Sequence, residues 1–202
     1  MASRMLTWML FASASLTMTS KMQASPYKID PSHSSMGFKV KHMGISWVRG
    51  DFREFASKLD FDPKTGMLSN IDTVIKSTSI DTNQDDRDKH LRSADFFDVG
   101  KHPEITFKST KVVQNGHAPK EIHGKFTMHG VTDDIILTIT DWAGQIEDPK
   151  GNQRIGFEAT GKIDRTKYGV VWNKPLAKAG GLVVSNDVIL QIAAEFIEDK
   201  GK

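Results

Sequence analysis

The stretch STSIDTNQDDRDKHLRSADFFDVGKHPEITFKS, Ser77 to Ser109, begins and ends as strand and changes character in between. Asn83 to Lys89 is polar, and Leu91, Phe96 and Phe97 follow as an apolar cluster. Asp85 or Asp86 is suited to cap a short helix, since acidic residues favour a first turn. Leu91 is four residues from Asp95 and five from Phe96, a spacing that puts the cluster on one face of one or two helical turns. Pro103 ends any helix by the residue before it. Ile105, Phe107 and Ser109 then alternate with Thr106 and Lys108, the period of a strand. A short helix between two strands, in a chain otherwise full of strands, is expected to plug or lid a sheet.

Outward from this stretch the alternation continues. Ser34 to His42 sets Phe38, Val40 and His42 against Lys39 and Lys41, as in a sheet with one solvated face. Trp47 to Phe61 shifts parity between Phe52 and Phe55, which predicts a bulge or bend. Asp62 to Gly66 is a turn in which Pro63 presets φ and Gly66 accepts a positive one. Ile71, Thr73 and Ile75 mark a strand over 71–80, and Asn115-Gly116 signals a hairpin. Ile122, Gly124 and Phe126 share a face, as do Leu137 and Ile139 in a strand over 135–142. Ile155, Phe157, Ala159, Gly161 and Ile163 form the next face, and Val188, Leu190, Ile192, Ala194 and Phe196 the last. One long irregular segment, 164–186, separates these two. About eight strands, mostly joined by short turns, predict an all-β antiparallel barrel or sandwich. An eight-stranded barrel interior holds one slender ligand or is filled by side chains.

The chain has 202 residues, enough for one domain with a sizeable core. Its 38% hydrophobic and 26% charged content describes a globular protein. Arg4 and Lys21 are the charged residues of positions 1–25 and account for the formal net charge of +2. The rest is balanced and has no Lys/Arg-rich run, so no nucleic-acid partner is expected. The absence of cysteine excludes disulfides, thiolate nucleophiles and Cys-containing zinc motifs. Residues 1–25 read as a secretory signal peptide: Arg4, a mostly apolar stretch from Met5 to Met18, and small residues at Ala24-Ser25. That stretch is shorter than the ~20 residues of a transmembrane helix, so a chain that does not span the membrane is expected. Residues 26–202 form the single folded domain.

The motifs Ser79-Ile80-Asp81-Thr82, Arg87-Asp88-Lys89-His90-Leu91, Asp95-Phe96-Phe97-Asp98, Lys101-His102-Pro103 and Ile105-Thr106-Phe107-Lys108-Ser109 occur in this order. Asp30-Pro31-Ser32-His33-Ser34 and Gly50-Asp51-Phe52 precede them. Gly124 to Thr132, Ile155-Gly156-Phe157 and Ile163 to Gly169 follow. Together they resemble the YceI-like family over nearly all of Tyr27 to Glu195. The resemblance implies an eight-stranded lipocalin-like barrel with a short helix and one long loop. It implies a bacterial, periplasmic or secreted homodimer that binds a polyisoprenoid or other long-chain amphiphile, such as an isoprenoid quinone or polyprenyl pyrophosphate. Transport or storage without catalysis, and without a cofactor beyond the lipid, is the function it implies, with stress response as its setting.

From the residues alone, Phe38, Phe52, Phe107, Phe126 and Phe157 fill a core by default. Small residues on the same faces, Gly50, Gly124, Ala159, Gly161 and Ala194, argue for leftover space or close backbone bends. The resemblance favours a cavity. The apolar tunnel is then expected to use those phenylalanines with Val40, Leu91, Phe96 and Phe97. Leu137, Ile139, Ala159, Leu190, Ile192 and Ala194 complete it. Weaker candidates for a polar head group are His42, Asp88, His90, Arg165, Trp172 and Asn173, chosen mainly for their place in the non-strand regions. An enzyme using His90, Asp88 or Arg165 on such a lipid is the second reading, and a packed structural module the third. Arg87-Asp88-x-His90 reads more simply as a capping or ion-pair network. The seven histidines include no His-x-His or His-Glu-x-x-His, and His123 and His129 stand ~20 Å apart if one strand carries both, so no metal is expected.

Overall fold

The computed structural model describes residues 24–176 and 181–201. The expected signal peptide lies, apart from Ala24 and Ser25, outside them. Strands are β1 (Ser25–Ile29), β2 (Ser35–His42), β3 (Ser46–Phe52), β4 (Phe55–Asp62), β5 (Met67–Lys76) and the short β6 (Ile80–Asp81). After helix α1 (Asp85–Arg92) come β7 (Glu104–Asn115), β8 (Ala118–Met128), β9 (Val131–Glu147), β10 (Gln153–Asp164) and β11 (Val184–Glu198).

The sheet is antiparallel and closes on itself. Its order runs β1-β4-β5-β7-β8-β9-β10-β11, and β11 pairs back to β1. β2 and β3 prolong β1 and β4 beyond two breaks. The first is a 3-10 turn over Pro31–His33, capped by Asp30. The second is Arg53-Glu54, where the sequence shifts parity. β11 is long enough to serve both halves of the β1/β2 strand, pairing Phe196 with Ile29 at one end and Val188 with Val40 at the other. The result is the expected closed eight-stranded antiparallel barrel with one short helix.

Some local expectations change. The strand expected over 71–80 ends at Lys76, passes through a 3-10 turn at Ser77–Ser79, and leaves Ile80–Asp81 to pair with β3. β1 is an element that alternation alone misses, being five residues long with Pro26 near its start. The α1 cap is Gln84, not Asp85 or Asp86: its side chain accepts the Arg87 N–H, and the aspartates occupy the first turn instead. Phe96 and Phe97 lie beyond the helix, because Ser93 ends it and donates its hydroxyl to the His90 carbonyl (2.7 Å).

At one end of the barrel aromatic rings form a floor. Phe157 stacks on Phe196 (centroids 5.9 Å), and Trp142, Phe61 and Tyr27 succeed each other behind them at 6.5, 6.0 and 5.9 Å. Edge-to-face and offset ring pairs of this kind add to the burial of large apolar area. β5, β8 and β10 finish at the other end, where α1 and the segment after β10 also lie.

Candidate functional site

Above that floor the barrel is not filled. A cavity with ≈ 1250 Å³ of empty space, its opening included, runs between the inward faces of the strands. Of the expected apolar residues, Phe38, Val40 and Phe52 line it from β2 and β3, and Leu91, Phe96 and Phe97 from the helical excursion. Phe107, Phe126, Leu137, Phe157, Leu190, Ile192 and Ala194 line it from the later strands. Residues of the same parity complete the wall, among them Met36, Ile71, Ile105, Ile122, Met128, Ile163 and Val188. Strand parity was the signal that would have found them.

Ile139 and Ala159 are absent from this wall. They pair across β9 and β10, with Ile139 half-buried against the core and Ala159 buried within it. The glycines do not leave space either. A Cβ on Gly50 would stand 2.7 Å from the Phe38 ring, and one on Gly161 2.7 Å from Leu137. Large neighbours on adjacent strands lie over each gap, as aromatic side chains do over sheet glycines. Room inside the barrel therefore does not come from Gly50 or Gly161.

Three polar side chains interrupt the wall: Ser57, Thr73 and Arg165. Ser57 and Thr73 satisfy each other through a hydroxyl pair at 2.7 Å. Arg165 is a different case. It opens a 3-10 turn (Arg165–Tyr168) whose cap, Asp164, accepts the Thr166 N–H at 2.9 Å, and Gly169 ends that turn at φ 77°. The turn sends the guanidinium inward, where it is 4% exposed. Its Nε donates to the Ser185 carbonyl (3.0 Å), and its Nη1 donates to those of Val170 (2.8 Å) and Trp172 (2.9 Å). Among the described residues, Nη2 is buried without a partner. Burial pushes the Arg165 pKa below its ordinary value, and the Asp164 charge opposes this. A buried cation surrounded by carbonyl dipoles, with one N–H pair unspent, is an acceptor-seeking group on a hydrocarbon wall.

The other head-group candidates are engaged elsewhere. Asp88 is buried and takes the Thr82 N–H (2.9 and 3.1 Å) and hydroxyl, while Arg87 donates to the Thr82 hydroxyl and carbonyl (2.7 Å each). The pattern is a capping network that holds α1 to β6. His90 bonds Asp95 (2.8 Å) and meets Phe96 and Trp172 edge to face, both at 5.0 Å. Trp172 stacks obliquely on Phe96 (5.1 Å), so a ring cluster lies behind the wall formed by Phe96. Asn173 bridges to the Val184 backbone through both ends of its amide. His42 ends β2, paired with Ser46. Among the described residues, Arg165 alone of the six lines the cavity.

No helix among the described residues is long and apolar enough to cross a membrane. Two groups of metal-ligating side chains occur among them, Asp30–His33–Glu195 and Asp98–His102–His129. In the first, Arg154 already bonds Asp30 (2.9 Å) and Glu195.

Comparison with known proteins places these features. A family described as the YceI-like domain matches residues 27–196. The Escherichia coli O6:H1 protein YceI is 38% identical over 171 residues, which is 83% of this chain and 88% of that one. The Campylobacter jejuni YCEI crystal structure superposes with a TM-score of 0.68 at 30% identity, covering 79% of this chain and 90% of that one. A polyisoprenoid binding domain from Saccharophagus degradans shares the fold at 14% identity, with a TM-score of 0.59, covering 86% of this chain and 98% of that one.

Proposed function

The chain belongs to the YceI-like family, and on that premise we propose that its barrel binds one polyisoprenoid-type lipid and carries or stores it without chemical change. The observation that carries this reading is the cavity: a continuous apolar wall above an aromatic floor, with a single charged side chain on it among the described residues. Burying a hydrocarbon tail yields ~25 cal/mol per Å² and needs no directional partner, so such a wall selects for length and apolarity. Arg165 Nη2 supplies the polar contact, which suits an anionic or carbonyl-bearing head group such as a polyprenyl pyrophosphate or an isoprenoid quinone. The polyisoprenoid-binding neighbour supports the tail class through its shared fold. Of the groups that would carry an enzymatic alternative, Asp88 is spent on Thr82 and His90 on Asp95. The reading includes export by the leader, action in the periplasm and a homodimeric state.

The experiment is mass spectrometry of an organic extract from natively purified protein. A polyprenyl lipid at about one per chain is expected. Protein that yields no lipid, and takes up neither an isoprenoid quinone nor a fatty amphiphile when offered them, overturns the reading.

A further inference from the structure

Asp98 and His102 belong to the turns between α1 and β7, and His129 to the tight turn between β8 and β9. Folding brings one ligand atom from each to within 4.8 Å of the others. The two imidazoles approach to 4.4 Å between centroids, and Gly130 permits this: a Cβ there would stand 2.9 Å from the His102 ring. Among the described residues, none of the three side chains hydrogen-bonds to another of the three. Two bases and a carboxylate therefore converge without a proton shared between them.

The surrounding bonds leave one ligand atom free on His129 and one on Asp98. His129 Nδ1 lies 3.1 Å from the Tyr168 carbonyl oxygen. A carbonyl only accepts, so Nδ1 carries the proton and Nε2 of the neutral ring presents its lone pair. Metal-bound histidines are fixed in this way by a carbonyl on the other nitrogen. Lys101 Nζ holds Asp98 Oδ2 at 2.9 Å, which leaves Oδ1. Ligand carboxylates are commonly steadied by such a second bond.

We propose that Asp98, His102 and His129 bind a divalent ion of the zinc class, with water completing the shell. Two imidazoles and one carboxylate suit Zn²⁺ or Co²⁺ over the hard cations. Bonds of about 2.0–2.1 Å place tetrahedral ligands roughly 3.3 Å apart, so the side chains close by small rotations. The ion joins three separate pieces: the segment that follows α1, the β8–β9 turn and, through the Tyr168 carbonyl, the turn that carries Arg165. It acts as a clamp that holds the helical excursion to the barrel. The inference does not depend on which lipid the barrel takes, or on whether it takes one.

The test is titration of chelator-treated full-length protein with Zn²⁺ by calorimetry, and with Co²⁺ by visible absorption. Wild type is expected to bind one equivalent, to show ligand-field bands of a nitrogen–oxygen site and to unfold at a higher temperature with Zn²⁺, since a ligand of the native state stabilises it. His102→Phe keeps a ring against Gly130, and Asp98→Asn keeps the shape; each is expected to lose the Co²⁺ bands and to weaken binding by more than the roughly 10–100-fold that loss of an outer-shell partner costs. His117→Ala, in the hairpin at the opposite end, is expected to bind as wild type does. Failure of wild type to bind either ion, or full binding by both His102→Phe and Asp98→Asn, overturns the proposal.

Discussion

The ring of Phe107 takes the place of a side chain on Gly124. A Cβ on Gly124 would stand 2.4 Å from Phe107 Cζ and 2.5 Å from the Lys108 carbonyl oxygen. The two residues sit on adjacent strands, β7 and β8, where Phe107 pairs with Phe126 and Ser109 with Gly124. Phe107 is held by this contact on one side and lines the cavity on the other. Gly124→Ala must push the ring inward or the strands apart. It is expected to cost about 1–3 kcal/mol, the usual range for overpacking. Chemical denaturation measures it, and an unchanged midpoint would show that Phe107 moves freely.

Asp88→Ala removes the acceptor of the Thr82 N–H and hydroxyl in a buried place. Leaving such a donor unpaired costs about 1–3 kcal/mol. The same change frees the start of α1 from β6, so proteolytic cleavage within 83–100 is expected to quicken along with the fall in stability. Equal cleavage rates in both proteins would mean that the bonds from Arg87 to Thr82 and from Arg92 to the Thr78 and Ile80 carbonyls suffice to hold the helix.

Ala194 lies on the cavity wall and Ala159 does not. Ala194→Trp is therefore expected to lower lipid stoichiometry, whereas Ala159→Trp, in the core beside the cavity, is expected first to lower stability by overpacking. Circular dichroism establishes folding, and extraction with mass spectrometry counts the lipid. Retention of full stoichiometry by folded Ala194→Trp would exclude that stretch of β11 from the tail site.

Arg154 bonds Asp148 (2.7 Å) and Asp30 (2.9 Å) and also reaches Glu195, tying the β9–β10 turn to the break after β1. Bonds from Ser32, His33 and Arg154 hold Asp30 well below the usual carboxylate range, and Arg154 and Asn152 do the same for Asp148. A carboxyl depressed on folding stabilises at pH above its unfolded value, near 4, and loses that contribution as pH falls through the folded value. Wild type should thus exceed Arg154→Met in stability at neutral pH, and the difference should shrink below about pH 4. Urea midpoints collected across that range test this. A gap that stays constant with pH would assign the effect to packing.

Alternation was enough to determine an antiparallel barrel or sandwich, and the pairing of β11 back to β1 decides for the barrel. A strand buried on one face must repeat every second residue. Phe38 and Val40, Phe107, Leu137 and Leu190 were legible as inward residues for that reason. The parity shift between Phe52 and Phe55 likewise located the break between β3 and β4. What a strand's own period cannot carry is what its neighbours do. Gly50, Gly124 and Gly161 suggested space in the sequence, yet rings and branched chains from adjacent strands fill it. Asp88 and His90 looked available beside Arg165, but hydrogen bonds to Thr82 and Asp95 claim them, and of the three only Arg165, on the turn Arg165–Tyr168, reaches the cavity wall. His102 and His129 share no motif, since 27 positions separate them. Spacing along the chain encodes ligands only when one element carries them. Here strand closure brings two turns side by side, and distance in space depends on the register of the whole barrel.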